Sequence, residues 1–139
     1  MTEQEFKIMH SELIAYFQVV DRDIKTLYLY LNSDNELSHG LVKLANKSIA
    51  DVAFNISNID KVDDLGLLDD NLYEYLSTLP KKIKYWCSEC YKEFLYNDNC
   101  WYSEAFNAVA LKLEAEMNQI EYLSYRLAMA KLRYEKIEY

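Results

Sequence analysis

Glu3 to Leu31 reads "EQEFKIMHSELIAYFQVVDRDIKTLYLYL", and apolar side chains return along it at Phe6, Leu13, Phe17, Val20, Ile24, Leu27 and Leu31. The steps alternate four and three, with His10 filling the remaining slot. That period holds one stripe against a neighbouring helix over the whole length, as in bundles and coiled coils. Thr2 is the expected N-cap, with Glu5 as its capping-box partner. A long first helix follows, and His10 on its seam is expected to be a packed, hydrogen-bonded histidine.

Outward from this stretch, "NSDNE" at Asn32 to Glu36 breaks the pattern with capping residues. A second helix is predicted from Glu36 to about Ile59, with Leu41, Ala45, Ile49, Val52 or Ala53, and Ile56 inward. Gly66 suits a chain reversal. Asp69 or Asp70 can cap a short third helix through about Thr78, ended by Pro80. Proline is tolerated in a first turn, so Pro80 also suits the start of a fourth helix, "KKIKYWCSECYKEFLY". Its stripe is Ile83, Trp86 or Cys87, Cys90 and Phe94. After "NDNC" a last helix is predicted from about Trp101 to near Tyr139. Its seam is Phe106, Val109, Leu113, Met117, Ile120, Leu123, Leu127, Ala130 and Tyr134. Glu104, Glu114, Glu116 and Glu121 precede Lys131, Arg133 and Lys136, an order that matches the helix dipole. The expectation is an all-α, single-domain antiparallel bundle spanning 1–139. It has about five helices, the long terminal ones packed against each other.

Composition agrees. Gly 2 and Pro 1 among 139 residues fall far below the usual ~7% and ~5%, and tight sheet turns need glycine. A hydrophobic share of 51% is that of a folded domain, not a disordered tail. The net charge of −8 disfavours nucleic acid and anionic membrane as direct partners and suits a cationic protein. "MTEQEFKIMHSEL" does not read as a signal peptide, and no apolar run approaches the ~20 residues of a membrane span. The three cysteines are an odd count, which suggests free thiols in a reducing compartment, with the cytoplasm as the expected location.

Chemical motifs are sparse. Cys87 and Cys90 form a C-x-x-C, and with Cys100 and His10 or His39 they have the donor types of a zinc site. The pair falls within a helical stripe rather than on a turn, which favours packing of small apolar thiols, and no metal or other cofactor is expected. "ELSH", Glu36 to His39, is an E-x-x-H, but a di-iron bundle needs a second such unit, and Lys7 stands three positions before His10. The chain has no Walker A loop, G-x-G-x-x-G or H-E-x-x-H, and no catalytic residue is assigned. It is not expected to be an enzyme.

The remaining candidate is "DDLGLLDDNLYEYLSTLP", Asp63 to Pro80. Asp60, Asp63, Asp64, Asp69, Asp70 and Glu74 have only Lys61 as local counter-charge, a density beyond the needs of capping. Together with Tyr73 and Tyr75 they form the expected partner-binding set, since carboxylates beside aromatic rings attract Lys and Arg and exclude water around them. Tyr 13 in the composition points the same way, tyrosine being a stiff, amphipathic contact residue.

In composition and architecture the chain resembles small acidic bacterial immunity proteins. That resemblance implies a cytoplasmic, non-enzymatic inhibitor that neutralises a cationic toxin, such as a nuclease, by occluding its active site. Two alternatives stand beside it: a phage-encoded inhibitor presenting carboxylates where phosphates would bind a nucleic-acid-processing complex, and a helical adaptor or oligomeric subunit pairing through apolar seams.

Overall fold

Thr2 begins the structure as the sequence leads one to expect: its Oγ1 accepts the Glu5 N–H at 3.1 Å, and its carbonyl accepts the Phe6 N–H at 2.9 Å. The computed structural model describes residues 1–31, 51–52, 70–95 and 100–135. Among them the chain is all-helical and without strands. The α-helices are α1 (Glu3–Leu31), α2 (Asp70–Lys84) and α3 (Glu104–Glu135). A π-helical turn (Tyr85–Glu89) and a 3-10 turn (Cys90–Glu93) continue α2. None of these helices is long and apolar enough to cross a membrane.

The heptad seams become the core. Phe6, Leu13, Phe17, Val20, Ile24 and Leu27 of α1 are buried against Phe106, Val109, Leu113, Met117, Ile120, Leu123, Leu127 and Ala130 of α3. The long terminal helices therefore pack side by side. They run parallel: the rings of Phe6 and Phe106 are 5.4 Å apart near one end, and Asp23 meets Lys131 at 2.8 Å near the other. α2 runs antiparallel to both. Asn71 and Leu72 share a cleft with Gln119 and Tyr122, whereas Trp86, beyond its C-terminal end, reaches His10 near the start of α1.

Among the described residues three α-helices stand where about five were expected for the chain. The predicted third and fourth helices are one, because α2 passes through Pro80 without ending. Proline inside a helix removes one hydrogen bond and costs about 3 kcal/mol relative to alanine. Leu72, Leu76 and Leu79 before it and Trp86 beyond it are all buried on one face, and that shared burial outweighs the local cost. Of the predicted second helix, Asp51 and Val52 are described; both are helical, and Val52 is in the core. The remainder lies outside the described residues.

α3 starts later than Trp101. Tyr102 takes a left-handed backbone conformation (φ 72°), which no helix interior accepts. Ser103 then caps the helix, its Oγ accepting the Phe106 N–H at 3.1 Å.

Candidate functional site

The expected acidic and aromatic patch is reached only in part. Asp60, Asp63, Asp64 and Asp69 lie outside the described residues, as do Glu36 and His39. Asp70 is the first residue of α2. Glu74 is exposed, but Tyr73 and Tyr75 are half-buried and pack against the core. The Tyr75 hydroxyl donates to Glu116 Oε1 at 3.1 Å, and Lys82 Nζ lies 3.1 Å from Glu116 Oε2 and 4.6 Å from the Tyr75 ring centre. Burial, then the neighbouring Glu116 charge, raises the Tyr75 phenol well above its ordinary range. Tyr75 is thus a bolt between α2 and α3.

The cysteines separate. Cys87 is exposed, Cys100 is half-buried and Cys90 is fully buried. Among the described residues no three His, Cys, Asp or Glu side chains are grouped to hold a metal. Cys90 instead closes the π turn, as the residue that follows it. Its N–H bonds to the Tyr85 carbonyl five residues back, which bypasses the Trp86 carbonyl that an α-helix would use. The Trp86 oxygen takes other donors: the His10 ring at 2.6 Å and the Cys90 thiol at 3.4 Å.

A carbonyl only accepts, so His10 Nε2 carries the proton and cannot serve as base toward Cys90 Sγ, 3.7 Å away. Burial, as the largest cause, pushes the Cys90 thiol up to about 11, so the sulfur stays protonated and weakly nucleophilic near neutrality. The pair is a clamp between α1 and the π turn. His10 also stacks on Phe6 (6.2 Å) and meets Tyr91 edge-on (5.2 Å), at the edge of an aromatic cluster with Phe94, Trp101 and Phe106.

A cleft of about 400 Å³ opens between α2 and α3, lined by Lys81, Lys82, Tyr85, Trp86 and Lys112 among others. Two of its cations are already matched to carboxylates: Lys82 to Glu116, and Lys112 to Glu93 at 3.6 Å.

The feature that sequence reading overlooked is the outer face of α3. Leu111 (68% exposed), Tyr122 (50%), Tyr125 (62%), Met129 (51%) and Leu132 (50%) all stand in solvent. Ala115 and Asn118, also exposed, complete a stripe with steps of four and three, on the side of the helix opposite the buried seam. Among the described residues the exposed tyrosines are Tyr102, Tyr122 and Tyr125, whereas Tyr73 and Tyr75 are half-buried. The signal was present in "LKLEAEMNQIEYLSYRLAMAKL" as a second heptad, offset from the first by two positions.

No protein-family model, curated protein or solved structure matches this chain.

Proposed function

We propose that this chain is a helical protein-binding module, an adaptor or oligomeric subunit, that docks a partner along the outer face of α3 and works by association rather than by transforming a substrate. The observation that carries this reading is the apolar and aromatic heptad from Leu111 to Leu132, half or more exposed at each of its large apolar side chains. Isolated exposed apolar residues are ordinary, but a continuous stripe along three heptads of a rigid helix marks a docking surface. The test is site-specific photo-crosslinking in the native cell. A photoreactive residue at position 122, 125 or 129 should give protein adducts, and one at Gln18 or Glu12, exposed on α1, should not. Absence of adducts from all three α3 positions rejects the reading.

The inhibitor of a cationic enzyme remains a second reading, favoured by the net charge of −8 and by the exposed carboxylate of Glu74. The two differ in their response to salt. Charge-led binding weakens as ionic strength rises, whereas docking on the α3 stripe persists.

A further inference from the structure

The cleft between α2 and α3 sets cations from both helices around an aromatic corner. Lys81 and Lys82 line it from α2, Lys112 and Glu116 from α3, and Tyr85 and Trp86 of the π turn complete it. The two rings meet edge-on at 4.8 Å, and Ala115 beside them contributes only a methyl group. The volume, about 400 Å³, is that of a small-molecule site. Three lysines against the carboxylate of Glu116 reverse, locally, a chain charge of −8. The helix dipole accounts for Lys81 and Lys82, which fall in the last turn of α2. It does not account for Lys112, in the first third of α3, where the dipole gives a cation no advantage.

We infer that this cleft binds a small aromatic anion, a planar ring bearing a carboxylate, with Lys81 and Lys112 taking the charge and Tyr85 and Trp86 taking the ring. The three ammonium groups differ in what holds them. Lys82 is committed to the nearly buried Glu116 and serves as wall. Lys81 is exposed, and its side chain has no hydrogen bond or ion pair among the described residues. Lys112 is 58% exposed and stands 3.6 Å from Glu93, a long contact between solvated groups that contributes little. Glu93 keeps the Tyr85 hydroxyl at 2.8 Å when Lys112 turns away, so no carboxylate is stranded. Lys112 Nζ already lies 5.7 Å from the centre of the Tyr85 ring, which sets its charge beside the aromatic wall. A bare anion leaves that wall unused, and a neutral ring leaves Lys81 unused; an aromatic carboxylate engages both. The inference is independent of docking along the outer face of α3.

The test is nuclear magnetic resonance of the full chain titrated with naphthoate. The Trp101→Phe variant, which loses one of the two indole N–H signals, assigns the other to Trp86. That signal should shift saturably, with half-saturation at or below about 1 mM. Lys81→Gln or Lys112→Gln, both exposed and therefore fold-neutral, should each weaken binding about three- to fivefold, and together about tenfold. Ala115→Leu fills the cleft and should abolish the shift. The neutral analogue naphthamide should bind about tenfold more weakly than naphthoate, and added salt should narrow the gap. Absence of a saturable shift at about 10 mM naphthoate overturns the inference. So does equal affinity for naphthamide, or affinity unchanged in the double lysine variant, either of which reduces the cleft to an apolar crevice. Binding that survives Ala115→Leu overturns the location.

Discussion

Cys87 and Cys90 are three residues apart and chemically unlike. The exposed Cys87 should react with a thiol reagent at once, and Cys90 only on unfolding; stopped-flow labelling in native and denaturing buffer checks this. Cys90 also couples stability to alkali. Its thiol titrates near 11 in the fold against an ordinary 9.0, so the folded state holds the proton more tightly. That contribution is complete below pH 9 and is lost as pH rises from 9 to 11. Urea midpoints across this interval should fall, and Cys90→Ala should flatten part of the slope. At the other end of the same connection, Ser103→Ala removes the acceptor for the Phe106 N–H and should cost about 1 kcal/mol in chemical denaturation.

Among the elements, α2 departs most from what its residues favour locally. Pro80 is exposed and leaves the helix one hydrogen bond short. Pro80→Ala should therefore raise stability by about 1–3 kcal/mol, read as a higher denaturation midpoint with an unchanged m-value. The opposite outcome awaits Lys82→Met. Glu116 is nearly buried, and without Lys82 its carboxylate keeps, among the described residues, the Tyr75 hydroxyl alone. A loss of about 1–3 kcal/mol is expected, most of it recovered when Glu116→Gln is added, because the double variant has no unmatched charge to bury.

At the scale of the whole molecule, what could be read in advance was what is recorded in residue type at a fixed period. Phe6 to Leu27 and Phe106 to Ala130 announce their burial by spacing alone, and Thr2 announces its cap. What escaped depends on residues far apart in the chain. Pro80 reads as a terminator because proline rules are local, whereas the burial of Leu76, Leu79 and Trp86 that carries the helix across it is set by other helices. The bond of Tyr75 to Glu116 has no local signal, since its acceptor stands 41 positions later. The π turn has no signature of its own; the stripe merely shifts from alternating steps to two steps of four at Trp86, Cys90 and Phe94. The outer stripe of α3 shares its helix with the core seam, and the richer of two interleaved heptads draws the eye.

The parallel run of α1 beside α3 has a mechanical consequence. Residue 3 and residue 135 lie at opposite ends of the α1–α3 pair, separated by roughly the length of α3, about 45–50 Å. A load applied between them pulls the two rods past one another lengthwise, so every layer of the interface bears tension simultaneously instead of peeling open one turn after another.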